Sequence, residues 1–367
     1  MRASLLFIPC FLVSGLAMAA DLNDNFDVKT LNKSKWTEQE ILPRQWDFIS
    51  PGRCGASAID VVVQAGDNGD KCEDDCQRAE IRTIKTSWPT FGDEVWYQFS
   101  FRINGDVPPT GSARSVIGQW KGPGDGSPMV AQRFDNGVFH ITVQDNEVRR
   151  VVAKAEGDPD ALVAAQAALR KLNPLDEKVV SGIRTLQSLD LLTKSQPALA
   201  QQFFKEDLLK TLKPEAPAAN SQQLSDTLGI ADTAVVSQFS ALSFVAEPEK
   251  YFGNADITIE PEANRPLPDP RKGWVDMMYR IKPGRTDNEY GPQTPGEVDI
   301  WANGQKIVSV RGNIGATLKS SAKLPLSGPY FKFGTYRLRI PGTFHFQFDE
   351  FSQSSAEPGL AKLCAAQ

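Results

Sequence analysis

The chain lacks a surplus of positive charge: 40 Lys+Arg face 45 Asp+Glu, for a net charge of −5. A general nucleic-acid role therefore has no electrostatic support. Long apolar runs are also missing beyond the first residues. The run from Leu5 to Leu16 is too short to anchor in a bilayer, so no membrane insertion is expected. With Arg2 before it and Ala17-Met18-Ala19 after it, residues 1–19 read as a secretory signal peptide. The expected location is secreted or periplasmic.

Cysteine is scarce, with 5 in the chain. Cys10 lies in the apolar run and is expected to leave with it. The remainder, Cys54, Cys72, Cys76 and Cys364, is an even set in an exported chain and suggests two disulfides, with three pairings open. Zinc is the competing reading of the close Cys72 and Cys76, but no histidine lies near them. The 2 histidines, His140 and His345, sit between apolar neighbours in strand-like runs and read as structural. The polar face of the His345 strand leaves it a possible reach to a site.

What is present is alternation. Short period-two runs such as Trp96 to Arg102 and Val138 to Val143, separated by Gly, Pro, Asn and Asp turns, make residues 20–150 read as β. From Asp158-Pro159, an N-cap followed by proline, the period changes. Val179, Val180, Ile183, Leu186 and Leu189 recur at helical spacing, as do Phe204, Leu208, Leu209 and Leu212. Residues 151–254 are therefore expected to be a helical insertion acting as a lid, a surface for a protein partner, or a spacer. The β pattern resumes over 255–352, and 353–367 is a C-terminal tail. The expected fold class is mainly β: an antiparallel two-sheet sandwich with an inserted α-helical subdomain.

Three runs carry chemistry. In Tyr330 to Arg337, alternation puts Tyr330, Lys332, Gly334 and Tyr336 on one face, and Phe331 and Phe333 on the other. In Arg78-Ala79-Glu80-Ile81-Arg82, Ala79 and Ile81 turn inward, away from the three charges. Val116 to Lys121 ends with Gln119 and Lys121 on a common face. Cations thus gather at Arg78, Arg82, Lys121, Lys332 and Arg337 in an acidic protein, as a site for a polyanion requires.

Together, in this chain order, the three runs resemble the R-x-E-x-R, Q-x-H and YFKxGxY strands of polysaccharide lyases with a β-jelly-roll fold, the alginate, glucuronan and heparin lyases. Lys121 stands where those enzymes carry histidine. Gly273 to Asp276 and Val298 to Gln305 resemble further strands of the heparin lyase I-like group. The resemblance spans roughly residues 22–150 and 255–352. It implies cleavage of an acidic, uronate-containing polysaccharide by β-elimination, with no cofactor required.

In that chemistry the sugar carboxylate is neutralised, a base takes the C5 proton, and an acid protonates the departing O4. The resemblance casts Gln119, Arg78 and Lys121 as neutralisers and Tyr336 as base and acid, its phenol made more acidic by nearby Lys121 and Lys332. Lys332, Arg82, Tyr330 and Arg337 would bind neighbouring sugars, and Glu80 would orient the arginines. Two rival readings are a non-catalytic carbohydrate-binding protein and a jelly-roll glycoside hydrolase. Glu297-Val298-Asp299 looks like the start of a hydrolase signature, but the next acidic position is empty. Fold analogy alone suggests a structural calcium, with Asn25 and Asp349 as ligands.

Overall fold

A computed structural model describes residues 21–358, apart from 40, 68–75, 91, 106–114, 123–126, 135–137, 146–147, 156–255, 264, 285–293, 315–327 and 339–341. The expected signal peptide lies outside the described residues, as does the expected helical block from Asp158 to about Val245.

The first part of the chain supplies ten strands: β1 (Leu22–Asp24), β2 (Trp36–Gln39), β3 (Trp46–Ile49), β4 (Ala58–Val63), β5 (Cys76–Thr83), β6 (Val95–Gly105), β7 (Ser115–Lys121), β8 (Val130–Arg133), β9 (His140–Asp145) and β10 (Val148–Lys154). The second part supplies β11 (Ile257–Pro261), β12 (Val275–Lys282), β13 (Gly296–Ala302), β14 (Gln305–Gly312), β15 (Tyr330–Leu338) and β16 (Phe344–Ser354). Two boundaries move: β10 runs on past residue 150, and β16 past residue 352. Among the described residues the only helical turns are short 3₁₀ segments at Pro43–Gln45 and Lys85–Ser87.

The strands form two antiparallel sheets. One has nine strands in the order β11-β14-β13-β12-β6-β16-β4-β3, with β1 also on β16; the other has seven, β10-β9-β8-β7-β15-β5-β2. The two parts of the chain are interleaved, because β15 lies between β7 and β5, and β16 between β6 and β4. Arg78–Arg82 and Lys332–Tyr336 therefore share one sheet.

Phenylalanine alternation builds the space between the sheets. β6 turns Tyr97, Phe99, Phe101 and Ile103 inward, and β16 turns Phe344, Phe346 and Phe348 the same way. An irregularity between Asp349 and Ser352, with Glu350 at φ 53°, resets the parity of β16 and brings Phe351 into the core too. Phe333 of β15 stacks on Phe348 across the sandwich, with ring centroids 3.9 Å apart and planes 7° from parallel. Phe331 and Phe333 thus anchor β15 inward, and the even-numbered residues must face away from the core.

Parity also corrects the expectation for Arg337. It shares the inward face with Phe331 and Phe333, is 1% exposed, and donates from Nε to the Gln77 side-chain oxygen at 2.7 Å and from Nη2 to Gly342 O at 2.9 Å. Burial lowers its pKa to about 10. It lies in the interior of the sandwich, on the face opposite to Tyr336.

Candidate active site

The outer faces of β5, β15 and β7 meet in rows set by strand register. Tyr336 lies opposite Arg78 on β5, Gly334 opposite Glu80, and Lys332 opposite Arg82. On the other side, Lys332 lies opposite Gln119 of β7, and Tyr330 opposite Lys121. Gly334 adopts φ +124°, and a Cβ there would come within 2.2 Å of Ala79 O. A side chain at this position would break the β15–β5 pairing. The glycine row leaves a gap between the Tyr336 and Lys332 rows, about 13 Å apart along the strand at 3.3 Å per residue.

Glu80 is the hub of this face and is 2% exposed. Arg78 Nε donates to its Oε2 at 2.5 Å, Lys332 Nζ to Oε2 at 2.9 Å, and Gln119 Nε2 to Oε1 at 2.6 Å. One carboxylate thus ties three strands together. Burial pushes Glu80 up, but Lys332 and Arg78 outweigh it and hold the carboxyl below its usual range. Lys332 is lowered by burial, which Glu80 only partly offsets. Arg78 shares the strand of Glu80, whose expected role is to orient the arginines there. The other two partners of Glu80 come from β15 and β7.

Two of the expected site residues are nearly covered. Lys332 and Gln119 are 2% and 3% exposed and are engaged with Glu80, so they hold the site together from beneath. The side chains partly exposed on this face include Arg78, Arg82, Lys121 and Tyr336. The Arg78 guanidinium lies over the Tyr336 ring, 5.0 Å from its centroid. Lys121 belongs to the Tyr330 row, five residues along β7 from Val116, the register partner of Tyr336, and so about 17 Å away along the strand. Arg78, expected to neutralise the sugar carboxylate, is thus also a cation set against the phenol ring.

Tyr330 is 6% exposed and stacks on Trp88, with centroids 4.5 Å apart and planes at 22°. Arg82 lies 5.6 Å from both ring centroids. Burial raises the Tyr330 pKa, partly opposed by Arg82. Trp88 carried no signal in the sequence, because it lies in the loop after β5, outside any alternating run.

The remaining candidates lie elsewhere. His140 is fully buried, and its Nδ1 is 3.0 Å from Val138 O; burial lowers its pKa to about 3, so it is neutral. His345 is on the nine-stranded sheet, where its Nδ1 is 2.8 Å from Asp60 Oδ2. Glu297 and Asp299 are on that sheet too, paired with Arg280 at 2.8 and 2.9 Å. Asp299 also meets Arg311 at 2.8 Å, and its pKa falls to about 2 as its cationic and hydroxyl partners outweigh burial. Both carboxyls are held as anions, so neither is a proton donor of the kind a hydrolase needs.

Cys54 and Cys76 are disulfide-bonded, which removes Cys76 from any zinc site. Cys72 and Cys364 lie outside the described residues. Among the described residues no group of three or more His, Cys, Asp or Glu is placed to hold a metal ion. Asp349, the conceived calcium ligand, accepts backbone N–H groups from Arg53 at 2.6 Å and Glu350 at 2.8 Å, while Asn25 donates to Asp27 at 2.7 Å.

Residues 28–197 match the family model described as polysaccharide lyase. Over this stretch, a little under half of the chain, the sequence is similar to polysaccharide lyases. The matched region includes β5 and β7, and so Arg78, Glu80, Arg82, Gln119 and Lys121, while β15 lies beyond it. No curated protein matches the chain by sequence. Similar solved structures include alginate lyase A1-II′ of polysaccharide lyase family 7, at 10% identity over 88% of this chain and 94% of that one, TM-score 0.39. The cellulose-induced protein Cip1 aligns at 11% identity over 91% and 97%, TM-score 0.38. The binding domain of botulinum neurotoxin DC aligns at 10% identity over 90% and 44%, TM-score 0.33. Likeness at this level carries no argument about chemistry.

Proposed function

We propose that the protein is an exported polysaccharide lyase that cleaves a uronate-containing glycan by β-elimination. The observation that carries this reading is the Arg78–Tyr336 pair: a partly exposed guanidinium 5.0 Å from the ring of a partly exposed phenol, held in place by the buried Glu80 hub. The family-model match over β5 and β7 supports it.

The chemistry follows from this placement. A uronate seated over Gly334 puts its carboxylate beside Arg78, whose charge offsets the negative charge that develops as the C5 proton leaves. The Tyr336 phenolate accepts that proton, the C4–O4 bond breaks as C4=C5 forms, and the phenol returns its proton to O4. Base and acid are one residue, so both transfers take place on one side of the sugar. Lys121 lies in the Tyr330 row, away from the phenol, and is left to bind the polyanion.

The test is the ultraviolet absorbance of the unsaturated uronate product, measured with alginate, glucuronan, heparin and polygalacturonate. A rise with one of them is expected. The competing reading, a carbohydrate-binding protein without catalysis, rests on Lys121 standing where the resembled lyases have histidine. Retention on a polyuronate with no absorbance change would favour it.

A further inference from the structure

Arg78 is held twice. Its side chain is tied to Glu80, and its backbone is tied by a second cluster that the elimination chemistry leaves unused. The pairing of β2 with β5 runs from Thr83 to Glu80, so Arg78 lies two residues beyond it on that edge. There Gln45 Nε2 donates to Arg78 O at 3.3 Å, and the Arg78 N–H donates to Asp67 O at 3.3 Å.

Both partners are fixed in their turn. Gln45 and Asp67 are each 1% exposed. Gln45 Oε1 accepts the Leu42 N–H at 2.7 Å, which leaves the amide nitrogen turned towards Arg78. Asp67 closes a tight turn: its N–H donates to Gln64 O at 3.1 Å, and its Oδ2 accepts the Gln64 N–H at 2.9 Å. Arg44, beside Gln45 in the 3₁₀ turn, donates to Asp67 Oδ1 and joins the two halves.

A buried cluster of this kind ordinarily serves stability alone. This one converges on the backbone of the residue whose guanidinium lies 5.0 Å from the Tyr336 ring centroid. On the other edge of β5, register sets Arg78 opposite Tyr336. Misplacing a reacting pair by about 1 Å can cost roughly 100-fold in rate, so the backbone of Arg78 is a lever on turnover.

We infer that Gln45 and Asp67 are positioning residues for the elimination: they clamp the backbone of Arg78 and so keep its guanidinium over Tyr336. The inference rests on the lyase reading.

The experiment is the rate of unsaturated-product formation by the full chain on the polyuronate the wild type cleaves, with the Arg78 Nε–H resonance followed by NMR. Gln45→Met keeps the buried volume but cannot donate to Arg78 O. It should lower kcat about tenfold with KM within about twofold, and move the Arg78 resonance, which the Tyr336 ring displaces in the wild type. A folded Gln45→Met protein with wild-type kcat overturns the inference. A lower kcat with the Arg78 resonance unmoved overturns it too, because a merely structural loss would look like that. If circular dichroism shows Gln45→Met unfolded, unchanged kcat in folded Asp67→Asn overturns it instead. A wild type that forms no unsaturated product from alginate, glucuronan, heparin or polygalacturonate overturns the lyase reading, and the clamp's role with it.

Discussion

Glu80 shows how one residue can set both the stability and the chemistry of a face. It is buried with two cations and an amide, so removing its charge takes an anionic partner from both Lys332 and Arg78. Glu80→Gln should cost about 3–5 kcal/mol, read as a lower denaturation midpoint. Its folded pKa lies below the usual carboxylate value, so its stabilising contribution is present above about pH 4.3 and lost as pH falls through the lower folded value. Asp349 behaves in the opposite way. Burial pushes it up to about 7, with Glu350 and Asp27 adding to the rise. The folded chain therefore takes up this proton before the unfolded chain does, and stability should rise as pH falls from about 7 towards about 4. Thermal melts of Asp349→Asn should lose that slope; an unchanged slope would assign it to another group.

The residue roles were only partly legible in the sequence. Alternation correctly placed Arg78, Glu80, Lys332 and Tyr336 on one face. The same parity assigns Arg337 to the face of Phe333, but its charge suggested a surface role. Which cation meets which phenol depends on register between strands more than 200 residues apart, and no local pattern encodes that. Trp88 acquires its place from a tertiary stack on Tyr330, so its loop gave no sign of it.

At the scale of elements, β15 organises the site. Phe331 and Phe333 hold it to the core, and an irregularity between Phe333 and Tyr336 in its pairing with β7 sets where the phenol emerges. Gly334 is the weak point of this design. Its φ of +124° and the 2.2 Å approach to Ala79 O leave no room for a methyl group. Gly334→Ala should part β15 from β5, destabilise the protein by more than about 1 kcal/mol, and separate Tyr336 from Arg78. Hydrogen exchange on β5 and β15 measures this directly: faster exchange confined to these strands is expected, and wild-type protection would refute the account. Alternation in the sequence puts Gly334 on the outer face and says nothing of its backbone. Its backbone need becomes visible only once β5 is paired beside it.

For the whole molecule, interleaving matters most. β15 and β16 come from the far end of the chain yet sit inside sheets begun before residue 155. The period-two runs on both sides of the central segment foretold a shared sheet system. The strand order, which brings Arg78, Gln119 and Tyr336 onto three adjacent strands, was not legible because hydrophobic periodicity does not specify neighbours.

The most direct test of the central claim, that Tyr336 beside Arg78 is the proton-transfer group of a lyase, is the rate of unsaturated-product formation by Tyr336→Phe on the polyuronate the wild type cleaves. The account predicts that turnover falls to background while retention of the glycan on affinity gels stays within about twofold, because only the phenol oxygen is removed. Full turnover by a folded Tyr336→Phe protein would contradict it.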